Sequence, residues 1–187
     1  MRVFTIYGDD DWGALKPDRH LGSLWLSDQI ENSPLAASWR EQPLRRYRDG
    51  PLGNMPHMSN GFLLVTQGIL EAVDALVSDF GEWLPARFDG EVLMIFNCLE
   101  TIDAIDADAS AWFHDREGGW SAVMEPAFHP SRLTVPIFRT PESSELFVRD
   151  DLVDALLDVG ATGSRVSEAW SSEPSAPRCR SNRDDRV

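Results

Sequence analysis

Cysteine is scarce in this chain: two residues in 187, Cys98 in an apolar run and Cys179 in a polar tail. Two such residues build no disulfide framework, and no pair has metal-ligand spacing. Long hydrophobic runs are also missing. No stretch approaches the roughly 20 apolar residues that a membrane-spanning helix needs. The start offers one arginine and a short apolar run, then Asp9, Asp10 and Asp11, which is no secretory signal. A cytoplasmic protein is the simplest expectation. The motifs of chemistry are missing as well: no Gly-x-Ser-x-Gly elbow, no phosphate-binding loop, no dinucleotide fingerprint. Cys98 has no histidine near it in sequence, as an activated thiol nucleophile would. The sequence therefore predicts no enzyme and no cofactor, and it nominates no catalytic or metal-binding residue.

Positive charge is the other shortage. The chain has 17 Lys and Arg against 31 Asp and Glu, a formal net charge of −14. The excess is concentrated. Residues 71–125 carry 13 acids against Arg87 and Arg116 alone. A field of one sign repels nucleic acid and anionic membrane and speeds association with basic partners. Arg45, Arg46 and Arg48 form the one basic stretch, better suited to the chain's own acidic face than to a partner.

What is present supports one folded domain. Hydrophobic residues make up 42% of the chain and aromatics 10%, enough to fold without metal or disulfide. Residues 2–7 read as a strand ended by Gly8. Residues 8–61, with Pro17, Pro34, Pro43, Pro51 and Pro56 and the indoles Trp12, Trp25 and Trp39, read as loops and extended pieces with a short helix near 34–41. The run 62–65 is a short strand. Thr66 then caps a helix over 67–80, with Ile69, Leu70, Val73, Leu76, Val77 and Phe80 on one face and Gly81 as its stop. Strands at 84–88 and 91–97 form a hairpin about Asp89-Gly90, and the nearly continuous apolar run of the second marks it as central. Residues 99–110 read as a loop. Strands follow at 111–114, 119–128, 132–139 and 145–148. Asp150 or Asp151 caps a second helix with Leu152, Val153, Leu156 and Leu157 on one face, stopped by Gly160, and 164–170 is a last strand.

The expected class is α+β: one domain over 1–170, a mixed or mainly antiparallel sheet with two principal helices, then a disordered tail at 171–187. Residues 65–73 and 148–156 echo one another, Val-Thr-Gln-Gly-Ile-Leu-Glu-Ala-Val against Val-Arg-Asp-Asp-Leu-Val-Asp-Ala-Leu. A strand turning directly into an amphipathic helix yields such an echo without duplication.

Two clusters invite a chemical reading. Asp106, Asp108, Ser110 and Glu117 stand at the first, third, fifth and twelfth positions of a calcium loop, but the sixth, which needs Gly, is Ala111. Gly118-Gly119-Trp120 follows where a helix should. The bland reading, a solvated acidic loop entering a strand, is the better one. His114 and His129 match no compact zinc spacing, and a half-buried strand histidine accounts for His114.

Three segments carry a family resemblance: Phe62–Ala72; Phe96–Ser110, with Asn97 followed by Ile-Asp-Ala-Ile-Asp and Ser110; and Ile137-Phe138 with residues 145–163, ending Gly-Ala-Thr-Gly. Together they resemble a family of small bacterial proteins grouped with the immunity proteins of polymorphic toxin systems, the type-eleven immunity group, once listed as a domain of unknown function. The resemblance covers about residues 60–170. Arg165-Val166 departs from the pattern after the Thr-Gly turn, and residues 1–61 resemble nothing in the family. The resemblance implies a role: binding a cognate toxin stoichiometrically, without nucleic acid or membrane as partner. A basic toxin suits the acidic bias. The nominated contact residues are Asp103, Asp106, Asp108, Asp115 and Glu117, with Trp112 and Trp120 as anchors ahead of Trp12 and Trp39; any one Trp is more often core. A metal-dependent hydrolase using the carboxylates of 103–117 is the alternative, and a scaffold or ligand-binding module the third reading.

Overall fold

The computed structural model describes residues 1–18, 33–58, 61–114 and 121–173. Its strands are β1 (Arg2–Gly8), β2 (Ala14–Pro17), β3 (Gln42–Arg48), β4 (Leu63–Val65), β5 (Gly81–Phe88), β6 (Glu91–Cys98), β7 (Ala111–His114), β8 (Ser121–Glu125), β9 (Ile137–Thr140), β10 (Ser143–Arg149) and β11 (Ser164–Ser171). The helices are α1 (Gln67–Val77) and α2 (Asp150–Asp158), with 3-10 turns at Ser78–Phe80 and Pro130–Arg132. The class is α+β, as the sequence predicts.

The strands form a four-stranded sheet in the order β11-β1-β10-β9, a five-stranded sheet in the order β2-β3-β5-β6-β4, and the ribbon β7-β8. All pairings are antiparallel except β3 with β5. The sequence echo has a structural counterpart. In one sheet β4 leads into α1 and on to β5, with β6 antiparallel between the two strands. In the other, β10 leads into α2 and on to β11, with β1 antiparallel between them. The units are alike, but the middle strand follows the helix in one and comes from the far end of the chain in the other.

Strand alternation explains how both sheets share one core. Side chains point alternately to opposite faces of a strand. Leu63 and Val65 of β4, Phe96 and Cys98 of β6, Phe4 and Ile6 of β1, and Leu146 and Val148 of β10 meet Ile69, Val73 and Val77 of α1 and Leu152, Val153 and Leu156 of α2. Their neighbours point the other way. Leu64, Leu84 and Ile95 join Leu15 and Leu44 in a second cluster, under the five-stranded sheet. Phe138, Phe147 and Val3 join Ala104, Ile105 and Phe128 in a third. Each of the Val, Leu, Ile and Phe side chains among these stabilises by about 1.5–3 kcal/mol through its removal from water.

The Asp89-Gly90 hairpin forms as predicted, and it bends through positive φ at both residues, 49° and 87°. Gly90 therefore matches the primed turn that a two-residue hairpin favours. Several expectations are corrected. Gly81 does not stop α1 in a left-handed turn; its backbone is extended and opens β5. It is glycine because a Cβ there would come within 2.4 Å of the Asn97 carbonyl oxygen and 2.5 Å of the Phe96 ring. Thr66 is the residue before α1 but makes no side-chain capping bond. Neither Asp150 nor Asp151 caps α2. Arg149 takes that position and both acids lie in the first turn, where they suit the positive end of the helix dipole. Leu157 is 64% exposed. At about 100° per residue it falls at the edge of the stripe set by Leu152, Val153 and Leu156. Gly160, at φ 67°, ends the helix as predicted.

The expected helix at 34–41 is a turn instead. The Glu82 carboxylate accepts the backbone N–H groups of Leu35 and Ala36, and the Trp39 indole donates to the Pro85 carbonyl at 2.9 Å. Bonds from β5 outcompete a helix flanked by Pro34 and Pro43. The segment 8–61 also contains two strands, β2 and β3, and Arg45 and Arg46 of β3 are exposed. In the later strands, β8 is shorter than 119–128, and 132–139 narrows to β9 after a 3-10 turn. Trp25, Cys179 and most of the expected tail lie outside the described residues.

Two titratable groups report on this packing. His57 sits where β2 meets β1: its carbonyl accepts the Leu15 N–H, and its ring lies 2.9 Å from where a Gly8 Cβ would be. Burial, then the nearby Arg48 charge, hold its pKa below the ordinary histidine value. The unfolded chain therefore takes up this proton more readily than the folded one. His57's contribution is complete above the unfolded value of about 6.5 and is lost as the pH falls below it. Urea midpoints should drop on acidification through that range, and a His57→Gln variant should show a smaller drop over the same interval. The Cys98 thiol is fully buried and pushed up to about 11, first by burial. In a Cys179→Ser background, a thiol reagent at neutral pH should label nothing until the protein is unfolded. Labelling of the native state would mean that Cys98 is reachable.

Candidate partner-binding surfaces

The segment 99–114 is held against the four-stranded sheet by its backbone. The N–H of Ile102 donates to the Arg139 carbonyl, that of Arg139 to the Glu100 carbonyl, and that of Asp106 to the Ala127 carbonyl. These bonds bring Asp103, Asp106, Asp108 and Trp112 into one loop-and-ribbon region, but most of their polar atoms face the chain itself. Asp106 Oδ1 accepts the N–H groups of Asp108 and Ala109, and its Oδ2 lies 3.7 Å from His129 Nδ1. Ser110 donates to the Asp106 carbonyl at 2.7 Å and accepts the Ala127 N–H at 2.9 Å. Asp103 pairs with Arg132 at 3.2 Å, and Arg132 also donates to its carbonyl. Trp112 is half-buried, packs on the cluster around Phe128, and donates from its indole to the Ala107 carbonyl. Asp108 is exposed.

The calcium-loop spacing is thus used to shape a turn. Among the described residues no group of three His, Cys, Asp or Glu side chains is placed to share a metal ion. His114 is exposed at the end of β7, correcting the half-buried histidine expected there. Asp115, Glu117 and Trp120 lie outside the described residues. The outer face of the β7–β8 ribbon presents Phe113, 48% exposed, and Met124, 65% exposed. Of the other indoles, Trp12 is half-buried, and its carbonyl accepts a bond from Arg48 Nε.

A second surface was not nominated from sequence. The helices α1 and α2 pack on each other. Residues 67–80 and 150–159 carry Glu71, Asp74, Asp79, Asp150, Asp151, Asp154 and Asp158, and no Lys, Arg or His. Some are engaged: Asp74 accepts the Trp83 indole at 2.9 Å, Asp150 lies 3.8 Å from the terminal ammonium of Met1, and Asp151 pairs with Arg149 at 3.0 Å. Asp154 and Asp158 are exposed on the outer face of α2. The sequence signal was available, since neither helix contains a base. It is hard to read because the two acidic segments lie 70 residues apart and only the fold joins them.

Beside α2 runs an open cleft of about 300 Å³. Its walls are Phe4, Met55, Val153, Leu156, Leu157 and Val166, with Asp154 at the rim. Arg2 lies over the Phe4 ring at 5.2 Å and gives its backbone N–H to Asp150. The volume is at the low end for ligand pockets, which run to about 300–1,000 Å³. Apolar walls under an acidic rim can seat an apolar side chain that is flanked by positive charge.

Among the described residues no helix is long and apolar enough to cross a membrane. Neither the protein-family models nor the curated proteins contain a match to this chain.

Proposed function

We propose that this chain is an immunity protein that acts in the cytoplasm and neutralises a cognate bacterial toxin by stoichiometric binding. One observation supports the reading most strongly: two packed helices carry six carboxylates, Glu71, Asp74, Asp150, Asp151, Asp154 and Asp158, and no base. Toxins that act on nucleic acid carry basic surfaces to hold phosphates, and an acidic inhibitor competes for that surface. Complementary charge raises the encounter rate and fixes orientation, while a few apolar or aromatic anchors supply most of the affinity. The exposed Leu157 beside the α2 cleft and the Phe113–Met124 face of the ribbon have the character of such anchors. The family resemblance of residues 60–170 points to the same role.

The test is co-expression with the protein encoded beside this one. Expressed alone, the neighbour should arrest growth; expressed with this chain it should be harmless, and the two should co-purify in equal amounts. A neighbour that is harmless alone, or that kills regardless and does not bind, overturns the reading.

A further inference from the structure

We propose that the cleft beside α2 is the seat of a basic amphipathic helix of the partner, whose apolar residues enter the cleft while its cations meet Asp154 at the rim and Asp158 one turn further along α2. This rests on the immunity reading for the identity of the partner, not for the existence of the site. The cleft opens at the edge of the core that both helices share. Phe4, Met55, Val153 and Leu156 are nearly closed from water, yet Leu157 at the rim is 64% exposed and Val159, just beyond the helix, 40% exposed. Leu157 and the apolar walls it borders form one continuous apolar surface, which marks a contact site more often than a scattered apolar side chain does.

The charge along α2 beside the cleft selects the occupant: Asp154 lines the cleft, and Asp158 follows one turn on. Asp151, Asp154 and Asp158 follow one another at intervals of three and four residues, so they form a row on one side of α2. A facing helix offers the same spacing: cations repeating every three to four residues beside an apolar stripe. An acidic helix would be repelled along the whole row. An uncharged apolar helix would leave the row desolvated and unpaired, which costs more than the cleft returns. Arg2 is the one cation of the lining. It is held over the Phe4 ring, with its backbone tied to Asp150, and Arg149 takes up Asp151, so Asp154 and Asp158 are the carboxylates of the row with no ion pair among the described residues.

The experiment uses the full chain and two synthetic peptides of identical composition. One is a leucine–lysine amphipathic helix; the other is the same residues scrambled so that no apolar stripe forms. The amphipathic peptide should shift backbone amide resonances of residues 151–166 and bind at least about tenfold more tightly than the scrambled one. Leu157→Ser, at an exposed position, and Ala161→Trp, which fills the cleft, should each weaken it about tenfold. Equal binding of the two peptides, shifts confined elsewhere, or wild-type affinity in a folded Leu157→Ser protein overturns the proposal. The outcomes for site and role separate cleanly. If co-expression protects but Leu157→Ser and Ala161→Trp both protect fully, the cleft is not the seat and the immunity reading stands. If the peptide binds here but the wild-type chain does not protect, that reading falls and the site remains.

Discussion

Replacing Arg139 by alanine is expected to lower the unfolding free energy by about 3 kcal/mol, a large share of the roughly 5–15 kcal/mol available to a domain. Arg139 is 5% exposed and, among the described residues, has no carboxylate partner. Its guanidinium donates to the Ser144 carbonyl at 2.9 Å and to the Gly61 carbonyl, and lies over the Phe62 ring at 5.4 Å. Gly61 leads into the edge strand of the five-stranded sheet, and Ser144 belongs to β10 of the four-stranded sheet. One side chain thus joins two sheets that share no backbone ladder. Burial pushes its pKa below the usual arginine range, the mark of a charge held out of water at a cost. Two effects compete on its removal. Relief of that desolvation favours the variant, while two buried carbonyls lose a charged donor, at about 1–3 kcal/mol each, and a cavity opens. The second effect should win. Arg139→Met fills the space and buries no charge, so it should recover part of the loss. Urea denaturation measures all three proteins, and a methionine variant as stable as wild type would sink the idea of a polar clamp.

Arg139 also marks where the sequence can and cannot be read. Most elements were legible because local pattern and tertiary environment agree. The 67–77 helix shows a buried face at 69, 73 and 77; Asp89-Gly90 forces its own turn; and 91–98 is apolar on both faces because it is interior to a sheet with clusters on each side. The failures occur where a distant group decides. Residues 34–41 look helical in isolation, and Glu82 makes them a turn from across the sheet. β3 is exposed at four of its seven positions and buried only at Leu44, with no alternating apolar signal, and exists because β2 and β5 flank it. Gly81 looks like a helix stop and is instead a point of close approach between strands.

The binding residues follow the same division. The acidic string at 103–108 was conspicuous in sequence, and it is conspicuous because Asp106 is needed to tie its own loop. The acidic face of the helices was spread over two segments, each unremarkable alone. The cleft could not be read at all, since its walls come from β1, residue 55, α2 and β11, four places in the chain that only the four-stranded sheet brings together. Surface chemistry assembled from distant segments is a property of topology, and topology is the step at which pattern reasoning about a single sequence loses its grip.

That assembly depends on one close backbone contact, which supports the second large prediction. Gly53→Ala should cost about 3 kcal/mol or more, enough to deplete the folded protein at growth temperature. A Cβ on residue 53 would lie 2.1 Å from the Thr162 carbonyl oxygen and 2.6 Å from the Gly163 nitrogen, all rigid backbone. Gly163 faces it at φ 104°, a conformation open to glycine, so neither side can yield. The contact is close because Asn54 stitches it: its side chain donates to the Gly160 carbonyl at 3.1 Å and accepts the Thr162 N–H at 2.7 Å, and the Met55 N–H donates to the Thr162 carbonyl at 2.8 Å. These bonds fix the end of α2 against residues 53–55. Met55, Ala161 and Ser164, three walls of the cleft, sit in this junction, and Ser164 donates to the Met55 carbonyl at 2.9 Å. Asn54→Ala, which removes the stitch without a clash, should therefore cost only about 1–2 kcal/mol and yet weaken peptide binding at the cleft. Thermal melts rank the two variants, and titration of the folded Asn54→Ala protein reads the second effect. Wild-type melting of Gly53→Ala would show that the two segments can part without cost. In that case the cleft would be a loose seam between β11 and residues 53–55, and its shape would have to be set by the partner.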